Sequence, residues 1–162
     1  TMDPHFWLSP KNGIIIASAV KNTLIELNPS AAESYEKNFN ILSEKIKALD
    51  VEADSLFSLV SRKAFVIYHP NLAYLAKDYG LTEFAIEQDG KEPSPSELKH
   101  LIDEAKEEGI TTVFIQKEFD KRYAQTISSD LEAEVVVIDP LSEDWINATR
   151  EIIESLYKSM IN

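Results

Sequence analysis

The sequence predicts an α/β fold: a three-layer lobe with a four-stranded parallel sheet flanked by helices, preceded by a long connecting helix. Two observations predict it. Short apolar runs alternate with helical stretches of about a dozen residues, which is typical of right-handed βαβ units. A long stretch with helical periodicity precedes the first of these runs. The predicted strands are 64–68, 84–86, 112–115 and 135–138.

Three parts are expected along the chain. Residues 1–29 form a lead-in segment with a first helix over 14–27, which ends before a turn signal at 28–29. Residues 30–62 form the connecting helix, and residues 63–162 form the lobe. The opening residues carry neither a basic start nor a cleavable apolar stretch, so we expect the chain to be a piece of a longer protein.

The connecting helix is predicted from its apolar periodicity. Apolar residues recur at alternating steps of four and three, the spacing that lines one side of a helix. Ser30 and Glu33 have the spacing of a capping box, which predicts a helix start. The alternatives to a connecting strut are a long core helix and a helix broken near residues 49–51. The apolar positions are Tyr35, Phe39, Leu42, Ile46, Leu49, Ala53, Leu56 and Val60.

Four more helices are expected within the lobe. Gly80 ends the first and Gly109 ends the second, because glycine suits the backbone conformation that follows a helix. The segment from Ser94 to Glu97 starts the second helix. The predicted ranges are 72–79, 94–108, 119–131 and 145–160.

Composition excludes several classes of function. The 162 residues include 28 acidic and 16 basic side chains, a formal net charge of −12. Nucleic-acid binding needs a basic face, so no nucleic-acid partner is expected. Acidity suits a protein that handles cations, with solubility as the alternative reason. Cysteine is absent, which removes zinc–thiolate sites and thiol nucleophiles. The sequence contains no run of 18 apolar residues, so it predicts no transmembrane helix.

Two residues of types that bind metal lie immediately after predicted strands. His69 comes after the first strand and Asp139 after the fourth, and a proline follows each of them. Ligands in open parallel sheets bind beyond the carboxyl ends of the strands, so a shared cation is one interpretation. The alternative is structural, with an Asx turn at Asp139 and a hydrogen-bonded loop histidine at His69.

The other two histidines are interpreted differently. His5 lies between Pro4 and an aromatic pair, a rigid setting that suits a third ligand. An untethered terminal histidine is the alternative. His100 lies on the outer side of an amphipathic helix, so we expect it at the surface.

Four motifs in order resemble those of a known family. The segment Asp3-Pro4-His5-Phe6-Trp7-Leu8-Ser9-Pro10 is similar to the Asp-Pro-His-x-Trp-Leu-Ser-Pro signature of the receptors of zinc and manganese ABC importers. These receptors are the cluster A-I solute-binding proteins. The likeness continues through residues 68–81, 92–95 and 138–141.

The resemblance implies two α/β lobes joined by one long helix, with the metal between the lobes. This chain then corresponds to the second lobe, and the amino-terminal lobe with its own histidine is missing. His5, His69 and Asp139 match metal ligands of the family, which gives this chain a partial site. At the end of strand three the family commonly has glutamate where this chain has Gln116, with Glu118 nearby, so the role of this position stays open.

The resemblance implies a transport receptor rather than an enzyme. It would capture a divalent metal in the periplasm or at the outer face of the cell membrane, with a lipid anchor left open, and deliver it to an ABC permease. Histidine at position 69 favours Zn²⁺ over Mn²⁺. A surface adhesin with a structural metal is the alternative. A metallohydrolase would need Glu87 or Glu118 as general base, and neither lies in a catalytic motif.

Overall fold

A computed structural model describes residues 3–87 and 90–161, without the side chain of Tyr123. Within these ranges the chain forms helices and strands in alternation. The elements are α1 (Pro10–Leu27), α2 (Ala32–Ser58), β1 (Ala64–Ile67), α3 (Ala73–Tyr79), β2 (Thr82–Ala85), α4 (Pro95–Glu107), β3 (Thr112–Gln116), α5 (Arg122–Leu131), β4 (Glu134–Ile138) and α6 (Trp145–Ile161). Short 3-10 helices at Phe6–Leu8 and Pro29–Ala31 precede α1 and α2.

The four strands form one parallel sheet in the order β2-β1-β3-β4, which confirms the predicted architecture. The inner strands β1 and β3 are buried along their whole length, as continuous apolar runs predict for strands covered on both faces. All four carboxyl ends lie at one edge of the sheet, where β1 is flanked by β2 on one side and by β3 on the other.

Helices cover both faces of the sheet and make three layers. On one face, Phe65, Ile67 and Phe114 pack with buried residues of α2, α3 and α6. On the other face, Val66, Val113 and Ile115 pack with buried residues of α4 and α5. No helix in the described part of the chain is long and apolar enough to cross a membrane.

The connecting helix α2 runs without interruption for 27 residues, about 40 Å at 1.5 Å per residue. The alternative of a break near residues 49–51 is therefore wrong. Leu49 and Ala53 are fully buried within the core, which anchors the carboxyl-terminal half of α2 on the lobe. The helix ends at Ser58, four residues before the end of the predicted stretch.

The predicted capping box at Ser30 and Glu33 is also wrong. The Ser30 hydroxyl donates to Asn28 Oδ1 at 2.6 Å, within the 3-10 turn that precedes α2, and no side chain caps the helix. The box predicted at Ser94 is present. The Glu97 N–H donates to Ser94 Oγ at 3.4 Å, and the Ser94 N–H donates to Glu97 Oε2 at 2.8 Å.

The lead-in segment is fastened to the lobe through two indoles. The Trp145 indole N–H donates to the Trp7 carbonyl at 3.0 Å, and the Trp7 indole N–H donates to the Pro140 carbonyl at 3.3 Å. The Ser9 hydroxyl also donates to the Asp78 carboxylate of α3. The first helix begins at Pro10 rather than at residue 14, because proline suits the first position of a helix.

Candidate metal centre

His5 is held by an aspartate two residues before it. Asp3 Oδ1 accepts the His5 backbone N–H at 2.9 Å and lies 2.7 Å from His5 Nδ1. A carboxylate can only accept, so the proton of the neutral ring is on Nδ1 and the lone pair is on Nε2. The Tyr74 hydroxyl donates to the Asp3 carbonyl at 3.2 Å and ties this turn to α3.

His69 is oriented in the same way by a different element. It follows β1, and its Nδ1 lies 3.1 Å from Oε2 of Glu87, which follows the neighbouring strand β2. Glu87 is only 7% exposed, so its carboxylate meets the His69 ring largely shielded from water. By the same reasoning, Nε2 of His69 carries the free lone pair.

The structure brings the two histidine rings into contact. Their centroids are 5.2 Å apart with the planes nearly perpendicular, at 86°. Trp7 flanks His5 at 5.4 Å, and Phe119 flanks His69 at 5.5 Å. Two imidazoles, each with a carboxylate on Nδ1, therefore meet beyond the carboxyl end of β1.

Asp139 lies at the same edge of the sheet but does not join the histidine pair. Its Oδ2 forms an ion pair with Lys117 Nζ, and its Oδ1 is buried without a hydrogen-bond partner among the described residues. Because β3 lies between β1 and β4, the ends of those strands are two interstrand spacings apart, about 10 Å. In the described ranges, no three histidine or carboxylate side chains are grouped closely enough to hold a metal ion.

The position that the sequence left open is Gln116, the last residue of β3. Its Nε2 donates to the His69 carbonyl at 2.7 Å, and its Oε1 accepts the His69 N–H at 3.4 Å. Glu118 is exposed on the following turn. His100 is exposed as predicted, with 75% of its side chain accessible and Glu104 at 3.8 Å.

Sequence reasoning missed the two carboxylates that orient the rings. In the sequence, Asp3 is visible only as part of the motif, and Glu87 only as a conceivable general base. A signal for Glu87 is present, because it follows a predicted strand just as His69 and Asp139 do. Which strand ends are neighbours depends on the strand order, which the sequence alone does not give.

A third carboxylate, Glu83, lies on β2 close to this region. It accepts the Leu72 N–H at 2.8 Å. The pKa of Glu83 is raised to about 7, because burial raises it more than the Leu72 N–H lowers it, and the nearby charge of Asp3 adds a smaller increase. Glu83 and Asp3 therefore lie close enough for their negative charges to repel each other.

A family profile matches almost the whole chain. The family described as "ZnuA: Zinc-uptake complex component A periplasmic" matches residues 1–159. A curated relative, the high-affinity zinc uptake system protein ZnuA of Brucella abortus (strain 2308), is 31% identical over 164 residues. That match covers 98% of this chain and 49% of the relative, so the chain spans about half the length of that protein.

Two solved structures show the same similarity. A crystal structure of a ZnuA deletion mutant with zinc bound has a TM-score of 0.93 and 33% identity, covering 99% of this chain and 62% of that chain. The laminin-binding protein Lmb of Streptococcus agalactiae has a TM-score of 0.91 and 29% identity, covering 98% of this chain and 65% of that chain. Lmb is described as a bifunctional protein with adhesin and metal transporting activity.

Proposed function

The chain belongs to the family of the periplasmic zinc-uptake complex component A, and on that premise we propose that it is the carboxyl-terminal lobe of a metal receptor for an ABC permease. The receptor captures a divalent transition metal, Zn²⁺ in preference to Mn²⁺, outside the cytoplasm. Membership confirms the predicted resemblance. The family consists of metal-binding transport proteins rather than enzymes, which argues against the metallohydrolase alternative.

The observation that carries the proposal is the pair of oriented imidazoles. Zinc sites in proteins use neutral histidine nitrogens at about 2.0–2.1 Å, and the other ring N–H is almost always donated to a carboxylate, a backbone carbonyl or water. His5 with Asp3 and His69 with Glu87 both have this arrangement. The two free Nε2 lone pairs therefore belong to rings that are already fixed and in contact.

Asp139 is the third proposed ligand. It would bind the metal ion by exchanging its ion pair with Lys117 for the cation. Its ion pair with Lys117 is partly solvated on both sides, and pairs of this kind contribute little stability. Oδ1 has no competing hydrogen bond within the described residues. A bound cation would therefore displace Lys117 at small cost and draw the carboxylate towards the histidines.

The site in this chain is a partial one in our proposal. Two nitrogens and one oxygen leave one position of a tetrahedral zinc shell for a histidine of the amino-terminal lobe or for water. The share of the relative that this chain spans, 49%, leaves room for such a lobe. We propose that residues 30–62 join the two lobes, with α2 as a rigid strut, and that residues 63–162 form the lobe described above.

Alanine substitution of single histidines in the full-length protein tests this function. We expect His5→Ala and His69→Ala each to weaken zinc binding strongly, measured by competition with a chelator of known affinity. His100→Ala is the matched control, because that side chain is exposed on α4 and pairs only with Glu104 in the described part of the chain. Unchanged zinc affinity in both site variants would refute the assignment.

A second function, adhesion, is favoured by one comparison. The similarity to Lmb, described as both adhesin and metal transporter, supports a surface-binding activity alongside transport. Laminin binding by the full-length protein is the direct measurement. Binding that persists after chelation would support an adhesin independent of bound metal, and absence of laminin binding would exclude this activity for that ligand.

A further inference from the structure

Gln116 satisfies both polar groups of the His69 backbone with one side chain. The amide Nε2 donates to the His69 carbonyl at 2.7 Å and the amide oxygen accepts the His69 N–H at 3.4 Å. Gln116 is 1% exposed, so these groups exchange little with water. A buried side chain that contacts one residue through both its donor and its acceptor constrains that residue's peptide groups.

The Gln116 side-chain amide provides the hydrogen bonds at the point where backbone pairing between β1 and β3 ends. β1 pairs with β3 up to Ile67 and Phe114, and the Tyr68 N–H still donates to the Phe114 carbonyl at 2.8 Å. At the next residue, His69, the partner is the Gln116 side chain instead of the β3 backbone. Gln116 therefore extends the hydrogen bonding of the sheet by one residue, into the loop that carries the imidazole.

We propose that Gln116 is a positioning residue of the metal site, which fixes the His69 backbone so that its imidazole meets that of His5. This inference rests on the proposed function. Gln116 holds the backbone, while Glu87 holds the ring at Nδ1. Together the two contacts constrain both the backbone and the ring of His69, and Nε2 is the ring nitrogen that the Glu87 carboxylate does not occupy.

A neutral amide at this position supplies both a donor and an acceptor to the His69 backbone. An ionised carboxylate accepts hydrogen bonds but cannot donate to the His69 carbonyl, and it buries a charge. Methionine is similar in length and uncharged but satisfies neither group. Asparagine keeps the amide but is one methylene shorter, so it cannot reach both groups without a shift of the loop.

The test uses Gln116→Met, Gln116→Glu and Gln116→Asn in the full-length protein. We measure zinc affinity by chelator competition, the visible absorption of bound Co²⁺, and the thermal midpoint. Since residues that orient metal ligands typically change affinity by 10–100-fold, we expect at least about a tenfold loss in the Met and Glu variants, and a smaller loss in the Asn variant. The Co²⁺ bands should change, which a loss of stability alone would not produce.

Gln125→Glu is the matched control, because Gln125 is exposed on α5 and the substitution adds the same charge away from the site. Wild-type affinity and Co²⁺ bands in both Gln116→Met and Gln116→Asn would overturn the inference. So would an effect confined to Gln116→Glu, since charge rather than positioning would then be the cause. If Gln116→Met does not fold, the zinc affinity and Co²⁺ bands of Gln116→Asn decide the test. Failure of the wild-type protein to bind Zn²⁺ or Co²⁺ would instead refute the proposed function.

Discussion

The indole N–H of Trp7 donates to the carbonyl of Pro140 at 3.3 Å, across 133 positions of the chain. This bond joins the segment that carries His5 to the turn that carries Asp139. The ring of Trp7 also lies edge-on to the His5 imidazole, with centroids 5.4 Å apart. Two proposed ligands from opposite ends of the chain are thus linked through one side chain.

Trp7 should report metal binding by its fluorescence. The chain contains two tryptophans, Trp7 and Trp145. The Trp7 ring contacts the proposed ligand His5. We expect zinc to change the emission of the wild-type protein and of Trp145→Phe, because a cation on His5 alters the field at the Trp7 indole. The zinc-dependent change should be lost or much reduced in Trp7→Phe. A response that persists unchanged in Trp7→Phe would contradict the placement of zinc at His5.

Glu87→Gln should weaken zinc binding without unfolding the protein. The amide oxygen of glutamine can still accept from His69 Nδ1, so the ring keeps its orientation, but the negative charge that strengthens its basicity is lost. We expect roughly a tenfold loss of zinc affinity, the lower end of the range for partners of metal-bound histidines. Chelator competition measures the affinity, and circular dichroism checks the fold.

Glu104→Gln is the control for this experiment. Glu104 faces His100 at 3.8 Å on the exposed side of α4, so the same neutralisation occurs beside a histidine outside the site. Its zinc affinity should equal that of the wild-type protein. Equal losses in the two variants would show that net charge, rather than the contact with His69, controls affinity.

Glu83 should make the metal-free protein less stable as the pH rises. Burial raises its pKa in the folded protein to about 7 from an ordinary value of 4.5, so the folded state binds the proton more tightly. The stabilising effect is complete below about pH 4.5 and is lost as the pH passes through 7. The total change is on the order of 3 kcal/mol.

Glu83→Gln isolates this effect, because an amide oxygen can still accept the Leu72 N–H without carrying charge. Urea unfolding at pH 5 and pH 8 measures the free energy of unfolding of both proteins. The variant should gain stability relative to wild type between these two pH values. A difference between the two proteins that stays constant with pH would show that Glu83 does not titrate in this range.

The fold is largely predictable because each strand is a separate apolar run. Every predicted strand is present, with ends within two residues of the predicted ones. Errors arise at the ends of elements. Ser30 has the spacing of a cap, but α2 begins at Ala32 with Ala31 in the capping position, so the Ser30 oxygen does not cap the helix. A pattern of residue types does not show at which residue a helix begins.

The proposed ligands can be picked out in the sequence, whereas the residues that hold them in place cannot. His69 and Asp139 stand out because each follows a strand, and His5 stands out by resemblance. Glu87 and Gln116 both act on His69 from strands that neighbour β1. Their roles depend on the order β2-β1-β3, a long-range property that no local pattern specifies.

Ser94, which caps α4, and Ser30, which has only the spacing of a cap, give a direct test of the difference between spacing and contact. Ser94→Ala should destabilise the protein by about 1 kcal/mol, because the serine oxygen accepts a free N–H at the start of α4. Ser30→Ala should cost much less, because Ser30 caps no helix and its hydroxyl contacts only an exposed asparagine side chain among the described residues. Urea unfolding of the two variants in parallel measures both costs. Since both substitutions remove one hydroxyl near a helix start, equal losses would mean that Ser30 caps α2 in solution after all.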